Sequence, residues 1–78
     1  MKKDKILMDL EYKFICDFIK LRKDNNLSQK ALAELSGVIR EKIAKIENRL
    51  NSPQLNSLIE ILEPLGYTVK IVPIKRKE

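Results

Sequence analysis

Arg40, Glu41, Ala44, Lys45 and Asn48 recur at the spacing of one helical face, while Ile43, Ile46 and Leu50 fall on the opposite one. The chemistry open to such a set is recognition. A guanidinium donates through a planar fork, an ammonium donates as a point charge, and an amide both donates and accepts. None of these groups is a ready nucleophile. The chain of 78 residues contains no His, one Cys and two Gly. It therefore lacks the side chain most used in acid–base catalysis and any glycine-rich phosphate loop. We expect no enzyme. We also expect no metal and no cofactor, because Cys16 is the sole soft ligand. One cysteine forms no disulfide within the chain. Cys16 lies mid-helix among apolar residues, which predicts a buried small hydrophobe rather than a reactive thiol.

The net charge of +5 comes from 16 basic and 11 acidic residues. Such an excess permits a polyanionic partner without requiring one. Apolar runs are too short to span a bilayer. The opening MKKDKILMDLEY has an acid inside its charged region and no long apolar core, so it does not read as a signal peptide. The expectation is a soluble cytoplasmic protein with no membrane partner. A chain this short buries only about 60% of the surface its unfolded form exposes, so a second copy is the default source of extra stability.

The elements that must hold the polar face follow from apolar spacing. Residues 1–8 read as an N-terminal extension. A first helix is predicted over 9–25, with Leu10, Phe14, Phe18 and Leu21 inward, closed by Asp24-Asn25-Asn26. Ile15 and Ile19 do not fit that face. They either extend the core or form an apolar stripe for a partner or the C-terminal segment. Ser28 caps a short second helix with Leu32 and Leu35 inward, and Gly37 supplies its left-handed end. After a three-residue break comes the helix carrying the polar face. Ser52 and Pro53 suit the cap and first position of a fourth helix, with Leu55, Leu58, Ile59 and Leu62 inward. Pro64 disturbs its last turn and Gly66 ends it.

The period then changes. "YTVKIVPI", 67–74, alternates in the manner of a β-strand, followed by a charged tail at 75–78. A lone strand leaves its backbone groups unpaired. The simplest remedy is an antiparallel ribbon between two copies, with Tyr67, Val69, Ile71, Val72 and Ile74 at the interface. Pairing with another protein's sheet edge, or a disordered or helix-packed tail, are the alternatives.

"LSQKALAELSGVIREKIAKIE" resembles the DNA-binding domain of the Cro/C1-type (XRE) helix-turn-helix family. The matching features are Leu27-Ser28-Gln29, Leu32-Ala33, Gly37-Val38, Ile43, Ile46-Glu47, Asn51 to Pro53 and Leu55 to Gly66. The continuation "LIEILEPLGYTVKIVPI" resembles the antitoxins of toxin–antitoxin pairs, in which a C-terminal strand replaces the family's fifth helix. The resemblance implies a mainly α, four-helix, lambda-repressor-like domain over 9–66, plus one C-terminal β-strand. It also implies a homodimeric repressor of a pseudo-palindromic double-stranded operator, with a toxin protein as second partner. A stand-alone regulator, or a toxin-neutralising module with weak DNA binding, are the other readings.

On that resemblance the DNA-facing residues are Ser28, Gln29, Ile39, Arg40, Glu41, Ala44, Lys45, Asn48 and Arg49. Ala44 is small enough for close approach, and Arg40 can donate to guanine O6 and N7. Lys45 reaches a base or a phosphate, and Asn48 resembles a phosphate-contacting position. Gln29 resembles a residue that braces the backbone or a base from outside the groove. Glu41 either accepts from cytosine N4 or, preferably, pairs with Lys45 one turn on. Arg22 and Glu47 resemble a structural ion pair. Ile39 breaks the capping rule at the start of the third helix, since its side chain accepts no hydrogen bond. It is a tolerated misfit, a thymine-methyl contact, or a protein contact.

Overall fold

The computed structural model describes residues 2–50 and 52–74. Helix α1 runs Lys2–Asp24, α2 Gln29–Ser36, α3 Arg40–Glu47 and α4 Leu55–Leu62, followed by a 3-10 turn at Glu63–Leu65. The core lies where these elements meet and consists of Ile15, Phe18, Leu32, Val38, Ile43, Ile46, Ile61 and Leu62.

Helix α1 begins at Lys2 rather than near residue 9, so residues 2–8 are its first turns and not a separate extension. No Gly or Pro occurs before Gly37, and nothing in the early sequence stops a helix. Its inward face keeps the expected Phe14, Phe18 and Leu21 and differs at Leu10 and at the two isoleucines. Ile15 is buried and Ile19 packs against the core, whereas Leu10 is exposed. Two overlapping stripes share Phe18: one holds Leu7, Leu10, Phe14 and Leu21, the other Ile15, Ile19 and Arg22. They lie roughly a quarter turn apart at 100° per residue. Burial of Arg22 goes with the second stripe facing inward. The same rotation leaves Cys16 exposed, against the expectation of a buried thiol. Asn26, with φ of 58°, turns the chain after α1.

Ser28 caps α2 by accepting from Ala31 N at 3.0 Å. Gly37 closes it with φ of 78°, and its N–H donates to Ala33 O. Leu32 is fully buried, but Leu35 faces outward. Leu50, expected to continue the inner face of α3, is exposed as well. The helix has ended by then. Arg49 adopts φ of 61°, and Leu50 N donates back to Lys45 O at 3.0 Å, so helical spacing no longer governs where Leu50 points.

Helix α4 starts two residues later than Pro53 suggested. Gln54 occupies the cap position without a side-chain hydrogen bond. Ser52 instead donates its hydroxyl to Glu11 Oε2 at 3.0 Å. Ile61, Leu62 and Ser57 face inward and Leu58 is half-buried, while Leu55 and Ile59 are exposed. Gly66 ends the 3-10 turn with φ of 85°.

Among the described residues there is no strand. The segment 67–74 has no regular structure, and Tyr67, Val69, Ile71, Val72 and Ile74 are exposed. The expected C-terminal β-strand is therefore corrected. Strand geometry depends on a paired edge, and a single chain with four helices offers none. Residues 75–78 lie outside the described residues.

Candidate nucleic-acid interface

The site is built on a buried charge pair. Arg22 Nε donates to Glu47 Oε2 at 2.7 Å and one Arg22 terminal nitrogen donates to Glu47 Oε1 at 3.0 Å. The other terminal nitrogen donates to Leu27 O at 2.7 Å. The two side chains are 9% and 6% exposed. Gln29 adds a fourth bond, Nε2 to Glu47 Oε1 at 2.9 Å. Each buried charge is thus matched by its partner and by further hydrogen bonds, the condition under which a low-dielectric pair is tolerated. The network joins the end of α1, the following loop, the start of α2 and the end of α3. Together with buried Ile43 and Ile46 it sets the rotation of α3.

That rotation turns the polar arc outward. Arg40, Glu41, Lys45 and Asn48 are exposed, and Ala44 is half-buried between them. Glu41 and Lys45 do not form the expected ion pair. The ion pairs of the described residues are Lys13–Asp17, Lys20–Asp24 and Arg22–Glu47. Glu41 and Lys45 each have a helix-end role instead. Glu41 lies in the first turn of α3 and Lys45 in the last, where each complements the helix dipole.

Ile39 is the residue at the helix cap, with φ of −64° and ψ of 147° and no side-chain hydrogen bond. It is 64% exposed. Its backbone has the extended geometry of a capped start, and its carbonyl accepts from Lys42 N and Ile43 N. Buried Val38 anchors the turn just before it.

Three of the residues expected at the interface are engaged elsewhere. Ser28 is spent on the α2 cap. Gln29 is tied to Glu47 through its amide nitrogen. Arg49 stacks its guanidinium over the Tyr12 ring, 4.8 Å from the centroid. The Cys16 thiol beside Tyr12 holds its hydroxyl above the usual tyrosine range, with Arg49 pulling the other way. Sequence reasoning missed the opposite flank of α3. Lys42, Lys45 and Ile46 border a depression of about 260 Å³ closed by Ser52, Pro53 and Gln54. Lys42 falls between the outer and inner arcs of the helix, which is why spacing alone did not select it.

Among the described residues no three His, Cys, Asp or Glu side chains gather in a metal-binding group. None of the helices among the described residues is long and apolar enough to cross a membrane. The polar arc on α3, flanked by lysines and fixed from below by a buried ion pair, can hydrogen-bond and neutralise an anionic surface.

A family profile described as helix-turn-helix matches residues 18–72. An uncharacterized HTH-type transcriptional regulator from Haemophilus influenzae is 42% identical over 69 residues, 88% of this chain and 70% of that protein. A solved structure described as a toxin–antitoxin module from Streptococcus pneumoniae superposes with a TM-score of 0.76 at 34% identity. That similarity covers 95% of this chain and 82% of the other.

Proposed function

The chain belongs to the helix-turn-helix family of the Cro/C1 (XRE) type, a family of DNA-binding transcription regulators rather than enzymes, and we propose that it is a homodimeric, sequence-specific repressor. The observation that carries this reading is the outward polar arc of α3 on a helix held by Ile43, Ile46 and the Arg22–Glu47 pair. In such a domain the second helix of the motif enters the major groove. Arg40 reads a guanine edge, and Asn48, Lys45 and Lys42 neutralise or bond backbone phosphates. Ala44 lets the helix approach closely. Ile39 stands at the rim of this arc, where its side chain meets a thymine methyl. Ser28, Gln29 and Arg49 support the site rather than read bases.

The test is a binding titration on the DNA upstream of the gene. Wild-type affinity falls steeply with salt, because phosphate contacts release counterions. Arg40→Ala costs about 1–3 kcal/mol at its base position and leaves the thermal midpoint unchanged. Salt-independent binding, or full operator preference without Arg40, overturns the reading.

A second activity is supported by the similarity to a toxin–antitoxin module. We infer that the protein neutralises a partner toxin and represses the operon that encodes both. Co-expression with a neighbouring small basic protein, with pull-down and a growth assay, tests this. Growth arrest that this protein does not relieve leaves the stand-alone regulator.

A further inference from the structure

Two apolar surfaces of the protomer lie uncovered beside one another. The first is a flank of α1 that packs against the edge of the core at Phe14 and Leu21 and is uncovered towards its N-terminal end. Leu7, Leu10, Phe14 and Leu21 follow each other at three-, four- and seven-residue steps along it, with Leu7 and Leu10 exposed and Phe14 and Leu21 half-buried. Its C-terminal end opens into a groove of about 410 Å³, lined by Phe14, Phe18, Leu21, Leu62, Tyr67 and Thr68. The second surface is the C-terminal arm itself. Tyr67 and Thr68 form one bank of the groove, and the arm then leaves it, so that Ile71 is 97% exposed.

We propose that the arm of one protomer, residues 69–74, lies along the α1 flank of a second copy, and that the exchange is reciprocal. This deepens the homodimer of the proposed function and names its contact. Two observations favour a second copy as occupant, and charge allows it. Lengths agree: from Leu7 to Leu21 a helix rises about 21 Å, and six extended residues span about 20 Å. Charge is compatible: the described arm carries Lys70 and no acid, and the helix bank of the groove carries Asp17, Lys20 and Asp24, with the two aspartates paired to Lys13 and Lys20. Leu7 and Leu10 on the flank and Val69, Ile71, Val72 and Ile74 on the arm are all exposed in the single protomer, so the exchange covers apolar surface on both sides. A two-fold axis makes the patch self-complementary, since each protomer supplies one arm and one flank.

The experiment is sedimentation equilibrium of the full chain without DNA. Wild-type protein is expected to dimerise at micromolar concentration. Leu10→Glu and Ile71→Lys, both at exposed positions, each weaken self-association at least tenfold. Mixing the two restores it, because the Glu-bearing flank then receives the Lys-bearing arm while the other contact stays wild type. Matching thermal midpoints for the dilute monomers confirm that neither variant is unfolded. Wild-type association by Leu10→Glu shows that the arms do not use this flank and overturns the proposal, leaving the dimeric repressor intact. A wild-type monomer overturns both. In a Cys16→Ser background, oxidation of a Leu10→Cys, Ile71→Cys double variant is expected to give a cross-linked dimer. A cross-linked monomer shows that the arm folds onto its own α1 and overturns the exchange.

Discussion

Leu32 in α2 and Leu10 in α1 are the same side chain in the same secondary structure. Leu32 is completely buried and Leu10 is 45% exposed. The difference separates two regions of the molecule. Around α2 and α3 every large apolar residue of the inner face meets another element, and the charges beneath them are paired. Along the first turns of α1 and the arm after Gly66, apolar side chains of equal size meet solvent. The inner face of the first region is closed within a single chain, while Leu35, Ile39 and Leu50 stay exposed outside it. The other carries apolar area that has value only when covered, since the hydrophobic gain scales with area removed from water.

The comparison is tested most severely at the ion pair. Glu47→Ala strands a guanidinium at a site where Arg22 is almost fully enclosed, and the expected loss is about 3–5 kcal/mol of unfolding free energy. Thermal or urea unfolding of dilute protein measures it. An unchanged midpoint would show that the α2–α3 region does not depend on the pair. Leu32→Ala removes a fully buried side chain and should cost about 2–5 kcal/mol. Leu10→Ala in the same dilute assay should cost far less, its effect surfacing only as the concentration rises into the associating range. Equal losses for the two leucines would abolish the distinction between the regions.

Ile39→Ser supplies the missing acceptor at a cap whose backbone is already extended. A gain on the order of 1 kcal/mol is expected. If operator preference survives the change, Ile39 does not read a thymine methyl. Ser57 gives the smallest effect. Its hydroxyl is fully buried and has no hydrogen-bond partner among the described residues. Ser57→Ala removes an unsatisfied group and should be neutral or stabilising by up to about 1 kcal/mol. A clear loss of stability would reveal a partner for that oxygen in the folded protein.

Local features were legible wherever the physics is local. Ser28 and Gly37 mark the ends of α2 because a hydroxyl acceptor and a left-handed residue are needed there, whatever surrounds them. The non-capping Ile39 was visible for the same reason. Legibility failed where one pattern fits two arrangements. Leu10 and Ile15 are both correctly spaced for burial, and periodicity alone does not say which stripe faces in. It failed again past helix ends, where Leu50 was assigned by a spacing that no longer applied. Arg49, expected among the DNA-facing residues, has a left-handed backbone and lies over Tyr12, thirty-seven positions earlier in the chain, a contact that helical spacing does not foresee.

By itself the sequence determined that two short helices flank a tight turn and that the second bears a cationic and amide-bearing face. These follow from composition and from spacing within a few residues. Only the tertiary structure decided which flank of α1 is inside, which cations remain on the outer face of α3, and whether residues 67–74 have a strand to pair with. Each depends on a group distant in sequence: Glu47 for Arg22, Tyr12 for Arg49, and a neighbouring edge that this single chain does not hold for the arm. Burial and pairing are properties of two surfaces, and one segment of sequence describes only one of them.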